Sequence, residues 1–251
     1  MGTDFNIEAD YYDLFEAKNA KMHESLNKFM IDFFHTRNIH NVLDFSCGTG
    51  AQAIPLAEAG FNITAADIAD KMIDLAREKG KHCQIKFLNG DMRSSHIGIF
   101  DACISILNST GYLSKSDFIL SLKNIKENLK PGGYFIFDNT NRDYIDSGHL
   151  MTHELIDTVA EINSKKLVRF VTANYDKSKG IVTWDWRVSV QEGCAPISHS
   201  SGKWIRQTYS KGELKDILSK QGFILEAIYD RTLIEFNESN SFAFFAIAKR
   251  A

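Results

Sequence analysis

The sequence predicts an α/β fold: a doubly wound, mostly parallel sheet of about seven strands, the last antiparallel, with an antiparallel β insertion after the fifth. Three observations predict it. Short apolar runs alternate with helical stretches from Val42 to Asp138, which implies parallel strands with helices on both faces. The first of these runs, Val42-Leu43-Asp44-Phe45, ends in an acid and then a glycine-bearing turn, Ser46-Cys47-Gly48-Thr49-Gly50. After Asp138 the periodicity changes to two for about seventy residues, with Trp184, Trp186, Val188 and Val190 alternating with Thr183, Asp185, Arg187 and Ser189.

The elements follow in order. Residues Ile7 to Arg37 read as a helical cap, with Leu14, Phe15, Met22, Leu26, Phe29, Met30 and Phe33 spaced by three or four. Strands are expected at Val42–Phe45, Ile63–Ala66, Ile85–Leu88, Ala102–Leu107 and Tyr134–Asp138. Helices are expected at Ala51–Ala59, Ala69–Lys79 and Ser116–Leu129. Gly60, Gly90 and Pro131-Gly132-Gly133 mark helix stops and turns. Asn139 to Thr208 forms the insertion, with a hairpin turn at Asp176 to Gly180, over the carboxyl edge of the sheet. Tyr209–Gln221 resumes a helix, and Phe223–Tyr229 and Phe242–Lys249 are the last strands. All 251 residues then form a single domain, with residues 1–40 as the cap and 139–208 as the insertion on the substrate side.

Composition narrows the function classes. Hydrophobic residues are 44% and aromatic residues 12% of the chain, enough for a sizeable core. The net charge of −3 and scattered Lys and Arg argue against a nucleic-acid binder. Cys47, Cys83, Cys103 and Cys194 include no Cys-x-x-Cys pair and fall among core-like segments, as expected of a cytoplasmic protein rather than a disulfide framework or zinc site. No apolar stretch reaches the about 18–20 residues of a membrane span, and Met1 to Asn6 has neither a leader pattern nor, with Asn6, a myristoylation pattern. No His, Cys, Asp or Glu cluster has metal-ligand spacing, so no metal is expected.

Gly48 and Gly50 permit a tight turn and close approach of a ligand to the backbone, and the following helix would present its N-terminal N–H groups there. With the strand and Asp44 before it, this segment resembles the first motif of the class I S-adenosylmethionine-dependent methyltransferases. Ser46 stands where that motif more often has Gly. The resemblance runs from Tyr11 to Lys249 and is nearest to small-molecule members, notably the nucleotide-sugar N,N-dimethyltransferase group. It implies a Rossmann-like fold, S-adenosyl-L-methionine as cofactor and S-adenosyl-L-homocysteine as product.

Asp67 lies 17 residues after Gly50, at the end of the second strand, where an acid can accept from both ribose hydroxyls, with Ile68 and Met72 as apolar neighbours. The resemblance further implies adenine contacts at Asp91 and Met92, in Asn89-Gly90-Asp91-Met92. Asp44 is expected to be a buried acid satisfied by loop N–H groups, or the acceptor for the cofactor's ammonium group, or both. Phe100 to Leu113 resembles the fourth motif and would pass between cofactor and acceptor, giving Ile106 a cofactor contact and Asn108 and Tyr112 acceptor-side roles. Tyr112 stands where the sugar group often has a His, so this motif supplies no His base. Ala9-Asp10-Tyr11-Tyr12-Asp13-Leu14-Phe15 resembles the segment whose second Tyr covers the sulfonium, a cation that gains from an aromatic face, so Tyr12 is a cofactor and catalytic candidate. The cofactor set is therefore Tyr12, Asp44, Ser46, Gly48, Gly50, Asp67, Ile68, Met72, Asp91, Met92 and Ile106. The catalytic set is Tyr12, Tyr112 and Asn108. Asn139, Asn141, Arg142, Trp184, Arg187 and Arg206 join Asn108 as acceptor-pocket candidates, and His149 and His153 as candidate bases.

The function expected is transfer of a methyl group to an N or O atom of a small polar metabolite by in-line displacement. Alternatives are an RNA or protein methyltransferase, a non-catalytic S-adenosylmethionine-binding protein, and an NAD(P)-dependent oxidoreductase. The last is suggested by Gly48-x-Gly50-x-x-Ala53 with Asp67 and by Tyr175-x-x-x-Lys179. The insertion's strands could pair two copies into a homodimer.

Overall fold

The computed structural model describes residues 5–162 and 164–251, with side chains from residue 11 onward except at 162. Met1 and Gly2, on which the lipidation reading falls, lie outside the described residues. The cap is two helices, α1 (Phe5–Glu16) and α2 (Ala20–Thr36), rather than one, separated by a tighter turn at Ala17–Asn19. The chain then alternates β1 (Asn41–Asp44), α3 (Ala53–Glu58), β2 (Asn62–Asp67), α4 (Asp70–Lys79), β3 (Ile85–Asn89), β4 (Phe100–Ser105), α5 (Lys115–Glu127) and β5 (Leu129–Thr140). A short helical turn α6 (Arg142–Tyr144) leads to β6 (Leu155–Ile162), β7 (Lys165–Asp176), β8 (Ile181–Glu192) and β9 (Ser198–Gln207). Helix α7 (Lys211–Lys220), β10 (Phe223–Asp230) and β11 (Ala243–Arg250) complete the chain.

The main sheet has the order β10-β11-β5-β4-β1-β2-β3, with β1 to β5 parallel and β11 antiparallel to both neighbours. The expected Rossmann-like class is therefore the observed one. Neighbouring residues of each strand go to opposite faces, as the pleat requires. Val42, Ile104, Ile136 and Phe245 pack under Leu26, Met30 and Phe34 of α2 and Leu56 of α3. Leu43, Cys103, Phe135 and Phe244 pack under Phe118 and Leu122 of α5 and Leu214 and Leu218 of α7. A strand with both faces covered reads as a continuous apolar run, which is why these segments were legible.

Two elements differ from expectation. Pro131-Gly132-Gly133 is not a turn before the strand but an irregularity inside β5, where the pairing jumps from Phe100↔Leu129 to Ala102↔Tyr134. Helix α3 begins at Ala53 and has only six residues, so the glycine loop extends through Gln52. Cys194 is exposed, in contrast to buried Cys47 and Cys103, because it sits in the turn after β8.

The insertion is a separate antiparallel sheet, β6-β7-β8-β9, with the hairpin turn between Asp176 and Ile181 as expected. Its inner face, with Leu167, Val171, Trp186, Val188 and Trp204, packs on Phe15 of α1 and on Tyr11 and Tyr112. Helix α1 thus lies between the two sheets' contributions to one cavity. Among the described residues, no helix is long and apolar enough to cross a membrane.

Candidate active site

The strand order reverses direction between β1 and β4, and in open α/β sheets a crevice forms at the carboxyl ends beside such a point. The parallel register brings Asp44 opposite Ala65 and Asp67 opposite Asn89, so the ends of β1, β2 and β3 lie side by side. There a cavity of about 420 Å³ is lined by Phe45, Ser46, Gly48, Asp67, Ile68, Met72, Gly90, Asp91, Met92 and Arg93. Leu107, Ser109, Tyr112 and Asp117 follow from the segment after β4, and Tyr12, Phe15, Glu16, Lys18 and Asn19 from the cap. The insertion contributes Asp157, Arg169, Val171, Trp184, Trp204 and Arg206.

Asp67 organises the sheet side. Its Oδ2 accepts the Gly48 N–H at 2.8 Å and its Oδ1 the Ala69 N–H at 3.0 Å. Each oxygen keeps lone-pair capacity for hydroxyl groups in the cavity. Burial raises the Asp67 pKa above the ordinary range, against the lowering effect of these backbone N–H groups. Asp44 is buried behind the loop, where Oδ1 accepts the Ser46 N–H at 3.3 Å and Oδ2 has no hydrogen-bond partner. Burial, with the charge of Asp67 adding to it, pushes the Asp44 carboxyl up to about 7. Such an uncompensated carboxylate is costly until a cationic or N–H-bearing group meets it.

Helix α1 is held over this loop. Thr49 donates its hydroxyl to Asp13 at 2.6 Å, and Lys79 bridges Asp13 and Thr49 at 3.0 Å. A Cβ on Gly48 would point at the ring of Tyr12, 3.8 Å away, so the missing side chain leaves open the space between loop and ring. Tyr12 keeps its proton firmly, its pKa raised by burial and by Glu16.

On the insertion side, Arg169 is 6% exposed, pairs with Asp157 at 2.5 Å and lies 3.8 Å over the Phe15 ring. Lys18 donates to the same Asp157 at 2.8 Å, tying the break in the cap to β6. Arg206 Nη2 donates to the Tyr112 hydroxyl at 2.9 Å. Trp184 and Trp204 face each other across β8 and β9.

Of the expected residues, Tyr12, Ser46, Gly48, Asp67, Ile68, Met72, Asp91, Met92 and Tyr112 are brought together on the cavity wall. Three are not. Asn108 has positive φ and is spent inside the protein: its N–H meets Asp138 at 2.8 Å, its Nδ2 donates to Thr140 Oγ1 at 3.1 Å and its Oδ1 accepts the Thr140 N–H at 3.2 Å. Ile106 is turned into the core under α2, and Leu107 lines the cavity instead. Gly50 lies against α3, where a Cβ would come within 2.8 Å of Ile54. Asp91 reaches the wall already held in a two-point pair by Arg93, with contacts of 2.9 and 2.6 Å, which keeps its carboxyl below the ordinary range.

Asn139, Asn141 and Arg142 are structural, Asn141 donating to the Glu238 and Ser241 carbonyls and Arg142 to the Thr208 carbonyl. Arg187 pairs with Glu154 at 3.3 Å in an exposed position. His149 stacks on Tyr144 and His153 is exposed, neither on the cavity wall. Tyr175 donates to Asp146, and neither it nor Lys179 lines the cavity, which removes the oxidoreductase use of that pair. Glu58, His82 and Cys83 place possible ligand atoms within 4.8 Å of one another on the surface, a grouping invisible in the sequence because the chain brings Glu58 in from 24 residues away.

The sequence reading missed Phe15, Glu16, Lys18, Asp157 and Arg169. Arg169 carried a readable signal: it falls in phase with Leu167, Val171 and Ala173, the inward positions of β7.

Residues 42–133 match the family model described as "Methyltransferase domain". The chain is 32% identical over 133 residues to glycine N-methyltransferase of Rattus norvegicus, covering 46% of this chain and 45% of that protein. The chain thus spans half or less of the length of these curated relatives. A solved S-adenosylmethionine-dependent methyltransferase from Clostridium acetobutylicum ATCC 824 superposes with TM-score 0.80 at 19% identity, covering 91% of this chain and 92% of that one. The sugar N-methyltransferase KedS8 from Streptoalloteichus sp ATCC 53650 superposes with TM-score 0.78 at 17% identity, covering 95% and 92%. At those identities the likeness to the two structures establishes the shared fold.

Proposed function

We propose that the chain is an S-adenosylmethionine-dependent methyltransferase that transfers a methyl group to an N or O atom of a small polar metabolite, a reading supported by the methyltransferase-domain match over residues 42–133 and by the fold shared with the solved methyltransferase. The observation that carries this is the cavity itself: it joins the Gly48–Asp67 loop to aromatic and guanidinium groups of the insertion within about 420 Å³. That size and mixed lining suit a small molecule.

The donor set fits S-adenosylmethionine. Asp67 offers two carboxylate oxygens at the end of β2, Asp44 an unpartnered buried oxygen, and Gly48 a wall without a side chain. Bound there, the cofactor supplies a methyl group already activated by a positive sulfur. Asp67 would hold the ribose, Ile68, Met72 and Met92 the flat apolar face of the adenine, and Tyr12 and Tyr112 would border the gap to the acceptor. Asp91 can serve the adenine amino group through lone pairs that its pair with Arg93 leaves over. The protein's work is then orientation and water exclusion, supplied by α1 and the insertion sheet closing the same cavity.

The insertion also supports self-association. Ile156 and Val159 on edge strand β6 are 63% and 71% exposed, and we propose pairing of two copies there, to be read as halved mass in sedimentation of Val159→Lys.

The test of the activity is incubation of the purified chain with methyl-labelled S-adenosylmethionine and a cell extract, followed by separation of small molecules from protein and nucleic acid. Label in the small-molecule fraction is expected. Label confined to macromolecules overturns the substrate class, and saturable binding without any label reduces the protein to a cofactor binder.

A further inference from the structure

We propose that the methyl acceptor carries a carboxylate group, seated on Arg206; the inference deepens the reading of a small-metabolite methyltransferase and rests on it. Arg206 enters the cavity from β9 on the same side as Trp204, two residues earlier. Its guanidinium lies 5.0 Å from the centroid of the Tyr112 ring and 5.5 Å from that of Trp204. Nη2 is engaged by the Tyr112 hydroxyl, whereas Nε is buried and has no hydrogen-bond partner.

The other basic groups of the cavity are matched. Lys18 and Arg169 share Asp157, Arg93 holds Asp91, and Arg231 holds Asp138 at 3.2 Å. Among the described residues, Arg206 alone of these cations has no carboxylate within ion-pair distance. Glu16 and Asp138 are near enough to act on it electrostatically but are engaged elsewhere, Glu16 by Asn19 and His23 and Asp138 by Arg231 and the Asn108 N–H.

A desolvated guanidinium with an open N–H is costly unless an acceptor arrives, and a charged acceptor gains most there. A carboxylate fits in charge and size. It brings one negative charge to one unmatched positive charge, and its oxygens can take the terminal N–H groups of the fork that the Tyr112 hydroxyl leaves open. A phosphate would bring up to two charges and three oxygens to the same single cation. The rings of Phe15, Trp184 and Trp204 leave an apolar wall for the rest of the acceptor, and the methylated N or O lies on another part of the molecule.

The full chain is incubated with methyl-labelled S-adenosylmethionine and a cell extract, and the labelled small molecules are weighed by mass spectrometry before and after mild acid-catalysed esterification in deuterated methanol. A gain of a deuteromethyl ester is the expected result. Labelled products that gain none, phosphate esters included, overturn the proposal while leaving methyl transfer intact. Absence of small-molecule label overturns the activity on which it rests.

The second measurement compares the acid so identified with its carboxamide. With the wild-type protein the carboxamide should show a KM at least about thirtyfold higher. In Arg206→Gln the acid should lose the same factor, so that acid and amide become nearly equal, while the Kd for S-adenosylmethionine moves less than about threefold. An Arg206 that only props up Tyr112 would weaken acid and amide alike, and the acid–amide comparison in the wild type decides the question even if the variant folds poorly.

Discussion

The Gly48 N–H lies 2.8 Å from Oδ2 of Asp67, joining the loop after β1 to the end of β2 across 19 residues of sequence. The bond makes one carboxylate responsible both for the shape of the loop and for a wall of the cavity. Asp67→Ala should weaken S-adenosylmethionine binding by more than about tenfold and destabilise the fold by about 1–3 kcal/mol, since a buried N–H loses its acceptor. Titration calorimetry and urea unfolding measure the two effects separately. Normal affinity in the variant would remove Asp67 from the proposed ribose site.

The two loop glycines should separate. Gly50 has φ +92°, a conformation that strains any residue with a Cβ, and a Cβ there would also push the Ile54 side chain aside, so Gly50→Ala should cost about 1–3 kcal/mol of stability. Gly48 has φ +50°, and its missing Cβ faces Tyr12 at ordinary contact distance. Gly48→Ala should therefore show its larger effect on cofactor affinity. Equal losses of stability in both variants would contradict this division.

Asp44 sets a pH dependence. Its carboxyl is ordinary in the unfolded chain and titrates near 7 in the fold. Between about pH 4 and 7 the folded state keeps a proton that the unfolded chain has lost, so stability falls as pH rises through that window. The fall attributable to this residue is on the order of 4 kcal/mol, with no further change above it. Asp44→Asn should flatten the profile measured by urea unfolding at pH 4.5 and 8. Parallel profiles for the two proteins would mean that burial does not raise this carboxyl.

The link between cap and insertion should be uneven. Lys18 is partly exposed, so Lys18→Ala should cost no more than about 1 kcal/mol. Asp157→Ala strands the buried guanidinium of Arg169 and should cost about 3–5 kcal/mol. Both should raise the acceptor KM more than they weaken S-adenosylmethionine binding, because the link lies on the insertion side of the cavity. An effect confined to the cofactor would place it wrongly.

The gathering of acids and glycine at the sheet's carboxyl edge was legible for a local reason. Asp44, Gly48 and Asp67 each sit at the end of an apolar run, and parallel strands with short connections carry such ends to one edge. Asn108 misled because a polar residue between two strands of the site looks available, whereas Thr140 and Asp138, about 30 residues later, engage its N–H and both polar atoms of its side chain. Ile106 misled by one position: the positive φ values at Leu107 and Asn108 turn the chain, so Leu107 and not Ile106 reaches the cavity.

The sequence by itself determined the alternation of strands and helices, the acid and glycine positions at the sheet's carboxyl edge, and the change to an antiparallel insertion, because each depends on periodicity and turn chemistry within a few residues. Tertiary structure alone decided that Lys18, Asp157 and Arg169 close one wall and that Arg206 is left without a carboxylate. Those outcomes depend on which side chains from distant strands satisfy one another first, and such pairing is a property of three-dimensional packing that no local spacing records.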